Sequence, residues 1–209
     1  MIIRNLGHAS FQIITNGRSI VFDPYSDGAV PGLTYPKNIV TDILLISHEH
    51  VDHSAKNNVA CTYSNIPGVN IKEFIVPHDH ENGLKRGMNK IHLIDVEGYR
   101  VAHMGDIGCM PSQDIIASLK GVDIMLIPIN GNFTVSSEEA KQIAIAIKPR
   151  LVIPMHYYRK DMPSGYPDSN QIDVFKKCFP RHIKIRNTEV EVSENLFNYD
   201  GLIFEGLVQ

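Results

Sequence analysis

Residues 43–53 read Ile-Leu-Leu-Ile-Ser-His-Glu-His-Val-Asp-His, and this stretch decides the architecture. The run Ile43 to Ile46 is unbroken, apolar and of strand length, which predicts a buried β-strand. It stops at Ser47. Four ligand-type side chains then follow within six positions: His48, His50, Asp52 and His53. Imidazole nitrogen and carboxylate oxygen are the donors that zinc and similar divalent cations take. His48 and His50 stand two apart in a non-helical segment, so both can point to one side, as on one face of a strand. Asp52 and His53 follow the turn and aim at a second point, where a helix beginning there would direct them. Four such donors crowd a single ion and make a two-ion site plausible.

Further ligand-type residues leave strands downstream. His78-Asp79-His80 follows the apolar run Phe74 to Val76. Asp106 follows the strand pattern Tyr99 to Ala102, and His156 ends the buried run Leu151 to Pro154. Sheet-built sites place their chemistry at such positions. His80 rivals His78 as a ligand, and His78 is preferred because it comes sooner after its strand.

Working outward, the first 25 residues read as β-structure. The runs are Ile2 to Leu6, Ser10 to Thr15 and Ser19 to Phe22, and Asn16-Gly17 marks a hairpin between the last two. Tyr25 to Asn38 carries four Gly or Pro residues and reads as loop. That loop and the segment Arg159 to Asn170 are the candidates for closing a pocket. Further strands are expected over 69–76, 90–96, 99–103, 122–128, 183–185 and 189–192. Helices are expected over 112–120 with Ser112 as N-cap, over 136–147 with acids in the first turn, and over 171–178. The order of elements is α/β in the α+β sense: two packed sheets with helices on the outer faces.

The chain has 209 residues, 43% of them apolar, a net charge of −3 and ten histidines. This is the composition of an ordinary globular protein, and the length fits one domain over 1–209. The acidic balance argues against a nucleic-acid partner. No apolar run reaches the ~18 residues of a membrane span. No secretory pattern opens the sequence and no C-x-x-C pairs the three cysteines, so a cytoplasmic location and no zinc–thiolate site are expected.

The H-x-H-x-D-H motif, the later His, the Gly-Asp and the Pro-Met-His together resemble the metallo-β-lactamase superfamily. Gly7-His8-Ala9-Ser10, Asp23-Pro24 and His103-Met104-Gly105-Asp106 resemble more narrowly its compact branch of bacterial metal-dependent hydrolases. Relatives of that branch include an ascorbate-phosphate lactonase and phospholipase-D-like enzymes acting on N-acyl ethanolamine lipids. The resemblance implies a four-layer αββα sandwich of two mixed β-sheets flanked by helices. It implies that His48, His50 and His78 bind one ion, that Asp52, His53 and His156 bind a second, and that Asp106 bridges them. It makes Asp23 a brace for the motif loop and Asp52 the catalytic carboxylate. His103 reads as structural, and His8 as a pocket-wall residue.

The implied reaction is hydrolysis of an ester, lactone, amide or phosphodiester bond by a metal-bound hydroxide, at two zinc ions or, alternatively, manganese. Candidate substrate contacts are His8, Arg86, Asn132 and Tyr157, with Arg86 and the turn at Asn130 to Thr134 favouring a small anionic substrate. Two alternatives stand beside this reading. One is a manganese-dependent lactonase of a phosphorylated sugar acid. The other is a non-catalytic metal-binding protein that keeps the fold.

Overall fold

A computed structural model describes residues 1–158 and 170–206. Asn16 and Gly17 take φ of 48° and 74°, the doubly positive turn that Asn-Gly favours in hairpins. They join β2 (Ser10–Thr15) to β3 (Arg18–Phe22), with Thr15 opposite Arg18. β1 (Ile2–Gly7) lies antiparallel to β2. β5 (Ile43–Leu45) adds in parallel to β3, and β13 (Glu189–Glu191) adds antiparallel to β1. The result is a five-stranded sheet of order β13-β1-β2-β3-β5.

The second sheet has seven strands. β7 (Asn70–Pro77), β8 (Met88–Val96) and β9 (Tyr99–His103) form an antiparallel meander. β10 (Ile124–Pro128), β11 (Leu151–Met155), β14 (Gly201–Phe204) and β12 (His182–Ile185) then continue in parallel from β9. Parallel neighbours need crossovers. α1 (Gln113–Leu119), α2 (Ser137–Ile147) and α3 (Gln171–Cys178) fall in those connections.

Alternation along each strand assigns the layers. Phe11, Ile20 and Phe22 face Ile124, Leu126 and Ile153 in the core between the sheets. The intervening Met125 and Ile127 turn the other way, onto Ala140, Ile143 and Ile147 of α2. β10 is thus covered on both faces, which is why its sequence is continuously apolar. The architecture is the expected α/β sandwich of two mixed sheets. α1, α2 and α3 all contribute to the core on the outer face of the seven-stranded sheet. The outer face of the five-stranded sheet carries a different layer. There Leu6 and Val21 pack against Tyr25, Leu33 and Tyr35, beside β4 (Ile39–Thr41) and β6 (Val59–Cys61). The loop over 25–38 is therefore a buried cover for a sheet, not a lid. The other expected closing segment, from Arg159, lies outside the described residues up to Asn170.

Three further differences have plain causes. β5 is half-buried where full burial was expected, because it is an edge strand paired only with β3. β4, β6 and β14 were not anticipated, since runs of three or four residues carry too little periodicity to stand out. His53 lies in a turn, not at a helix start, and Lys56–Asn58 is a single 3-10 turn. The three cysteines are free thiols. No helix among the described residues is long and apolar enough to cross a membrane.

α2 opens on a reciprocal cap. Ser136 Oγ accepts from the Glu139 amide at 3.2 Å, and Glu139 Oε2 accepts from the Ser136 amide at 2.8 Å. Ser136→Ala is expected to lower unfolding free energy by about 1 kcal/mol, read as a shifted urea midpoint at unchanged slope.

Candidate metal centre

The strand directions bring the chemistry to one edge. β1 and β3 are both antiparallel to β2, and β5 is parallel to β3, so the three run together. In the other sheet β7, β9, β10 and β11 share one direction by the same logic. The ligand-type residues lie just beyond the C-terminal ends of these strands. His8 follows β1, Asp23 follows β3 and the 48–53 motif follows β5. His78 follows β7, Asp106 lies three residues past β9, and His156 follows β11.

Two groups of donors result. The donor atoms of His48, His50 and His78 lie within 4.8 Å of one another, and so do those of His8, Asp52, His53 and His156. Asp106 stands between the groups with a side chain only 2% exposed. Its Oδ2 is 3.1 Å from His156 Nε2, 3.2 Å from His53 Nε2 and 3.4 Å from His78 Nε2. His48 Nε2 is 4.0 Å away. The structure thus brings together all seven residues singled out as candidate ligands, and adds His8.

The charges within the cluster hold one another. Burial alone would keep His53 and His156 neutral, but the Asp106 carboxylate overrides it and pushes both up to about 10. Burial likewise opposes ionisation of Asp106, yet the charges of His156 and His53 hold it well below the usual carboxylate range. Nε2 of His48 and Oδ1 of Asp106 are buried with no hydrogen-bond partner among the described residues. Such atoms are costly unless something accepts their lone pairs, and this donor set fits divalent ions.

Three side chains hold the donors in place through backbone bonds and neighbouring rings. Asp23 accepts from the Ser47 amide at 2.7 Å, from Ser47 Oγ at 2.5 Å, and stands 2.9 Å from His53 Nδ1. Burial opposes its ionisation, but the His53 contact holds it at about 2. His103 lies outside the donor groups. Its Nε2 donates to the Ala9 carbonyl at 2.8 Å and its Nδ1 accepts from the Gly105 amide at 3.2 Å. It stacks on Phe22 at 4.7 Å. It therefore steadies the turns that carry His8 and Asp106. Asn89 accepts from the Asp106 amide at 2.8 Å and donates to the Met104 carbonyl at 2.9 Å. Its side-chain amide is thus spent on this turn. Gly105 is required there, since a Cβ would come 2.2 Å from Asn89 Oδ1.

Other candidates lie farther out. His80 is apart from the donor groups and meets Glu139 Oε1 at 2.6 Å. His92 pairs with Glu73 at 3.1 Å, and His182 Nδ1 meets the Phe179 carbonyl at 2.8 Å. Arg86 lies over the Phe133 ring at 4.1 Å, and Asn132 shares a small cavity with both. The turn after β10 offers no amide cradle for an anion. Asn130 Oδ1 accepts from the Asn132 and Phe133 amides, and Gln171 Oε1 accepts from the Ser137 amide at 2.7 Å. Tyr157 is half-buried and packs against the core beneath the helices.

Comparison with known proteins gives the family. The Beta-lactamase superfamily domain matches residues 2–156. A "UPF0173 protein" of Pyrococcus abyssi is 33% identical over 183 residues, covering 72% of this chain and 80% of the relative. A "UPF0173 metal-dependent hydrolase" of Carboxydothermus hydrogenoformans is 30% identical over 191 residues, covering 75% and 84%. A solved Thermotoga maritima protein of the metallo-beta-lactamase superfamily aligns with a TM-score of 0.75 and 24% identity, over 98% of both chains. The chain belongs to this superfamily, as its motifs implied, and is a metal-dependent hydrolase within it.

Asp79, next to His78, organises the loop that carries Arg86. Its two oxygens accept from the amides of Glu81, Gly83, Lys85 and Arg86 at 2.7 to 3.0 Å. Desolvation opposes its ionisation, but the four amides outweigh it and hold it at about 2. Its support for the loop is therefore full above the free-aspartate range near pH ~4 and is lost as pH falls through about 2. Asp79→Ala is expected to speed amide hydrogen exchange at Glu81, Gly83, Lys85 and Arg86 about tenfold or more, with the β10 amides unchanged.

Proposed function

We propose that this member of the superfamily holds two divalent ions, zinc in the first instance, and cleaves an ester, lactone, amide or phosphodiester bond of a small anionic substrate. The observation that supports it is the placement of Asp106, a buried carboxylate within 3.4 Å of histidines from both donor groups. His48, His50 and His78 would hold one ion, Asp52, His53 and His156 the other, and Asp106 both. When bound, such a pair acidifies a shared water and polarises the scissile oxygen.

The chain's own residues divide the remaining work. Asp52 is 27% exposed, against 2% for Asp106, so it is the carboxylate of the cluster that faces incoming substrate. Burial opposes its ionisation, but hydrogen bonds from His156 and His8 keep it a carboxylate. A carboxylate only accepts, which suits it to orient a water, take a proton and return it to the leaving group. Arg86 has no carboxylate partner among the described residues and borders the cavity that reaches His48 and His50. It would hold an anionic group of the substrate bidentately.

The same arginine favours a second reading, a manganese-dependent lactonase of a phosphorylated sugar acid. A purely structural metal protein is disfavoured, because all seven donor positions are filled and Asp52 is left facing solvent.

The test is elemental analysis of protein purified without added metal, with a panel of ester, lactone and phosphodiester substrates. Two ions per chain and loss of activity on chelation are expected, and one ion or none counts against the reading. Asp52→Asn is expected to lower kcat by about 10²–10⁴ while most of the metal is retained. Arg86→Ala is expected to raise KM about tenfold or more for phosphorylated members of the panel, leaving uncharged ones unaffected.

A further inference from the structure

His8 reads from sequence as a pocket wall, but the structure puts it among the donors. It sits one residue beyond β1, the same relation that His78 has to β7 and His156 to β11. Its side chain is 1% exposed, and its Nε2 is 3.3 Å from Asp52 Oδ2. Its ring centroid is 3.9 Å from that of His156 and 5.3 Å from that of His53. We propose that His8 is an additional metal ligand that closes the coordination of the ion held by Asp52, His53 and His156. This rests on the two-ion reading above.

The backbone is arranged to aim this imidazole inward. His8 has φ of 54°, the left-handed conformation that is uncommon outside Gly and that Asn, Asp and His adopt more readily than other residues. His156 shares it, with φ of 53°, and its amide donates to the His8 carbonyl at 3.2 Å. Gly7 turns the chain at φ of 106°, where a Cβ would come 2.6 Å from Tyr25 Oη. His103 grips the next carbonyl, that of Ala9. These contacts fix the direction in which the imidazole leaves the chain, toward His53 and His156.

The two ions would then be unequal. Counting Asp106 in both, one group offers four protein donors and the other offers five. The cavity of about 430 Å³ borders His48, His50, Arg86 and Lys90. A group of four protein donors leaves more room for an added ligand than a group of five, so substrate oxygen should meet the His48 ion, with the exposed carboxylate of Asp52 reaching it from the other.

The test is zinc binding by metal-free protein, titrated against a chromophoric chelator. His8→Gly suits the left-handed backbone and so protects folding. The wild type should take two equivalents. The variant should bind one as before and the other about 100-fold more weakly, with millimolar free imidazole restoring the lost affinity. Independently, proton–cadmium correlation spectra of the cadmium-loaded wild type should show six coupled imidazoles: His8, His48, His50, His53, His78 and His156. Unchanged affinity at both sites of the variant, or five coupled imidazoles in the wild type, overturns the inference and leaves the two-ion reading standing. A wild type that takes fewer than two equivalents overturns both.

Discussion

A carboxylate sealed from water has to be surrounded by positive charge, and Asp106 imposes that condition on the whole edge of the sandwich. With 2% of its side chain exposed, it can remain ionised only if imidazoles or cations surround it. Histidines from three connections meet that need: the motif loop after β5, the turn after β7 and the end of β11. They can converge because the strands on which they ride run in one direction. The antiparallel strands β2 and β8, and the helices α1 and α2, return the chain to the opposite edge, so the site-bearing strands deliver their C-terminal residues to one place. Asp23, Asn89 and His103 add no donors of their own. They act on the Ser47, Gly105, Asp106 and Ala9 backbone and on His53, and so convert strand positions into side-chain positions.

Much of the fold was legible because its signals are local. Asn16-Gly17 named its own turn, Ser136 and Glu139 named a helix start, and the unbroken run of β10 announced a strand covered on both faces. What escaped was non-local. Gly201–Phe204 is a strand only because β11 and β12 flank it, and Ile43–Leu45 is half-buried only because it became an edge. The cover of the five-stranded sheet was mistaken for a lid because Tyr25 and Tyr35 sit among turn residues, and nothing in the turn residues reveals which face the tyrosines will seal.

The site divides the same way. The motif at 48–53, His78 and His156 each follow an apolar run, and their meeting could be foreseen. His8 carried the same signal, a histidine one residue past a strand. It reads as wall because the resemblance at Gly7-His8-Ala9 already assigns seven ligands elsewhere. The role of Asn89 was hidden because it depends on how β8 registers against the turn after β9. The turn at Asn130 reads as an anion cradle, but Asn130 Oδ1 takes its Asn132 and Phe133 amides, and Gln171, from the start of α3, takes the Ser137 amide at the start of α2.

The backbone bond between His156 and His8 ties the first hairpin to the eleventh strand. The two residues follow strands of different sheets, so the bond exists only where the sheets are docked. His48, His50, Asp52 and His53 are neighbours in sequence, whereas His8 and His156 are 148 positions apart and meet only across that seam. The complete set of donors is therefore a property of the docked sandwich and of neither sheet alone.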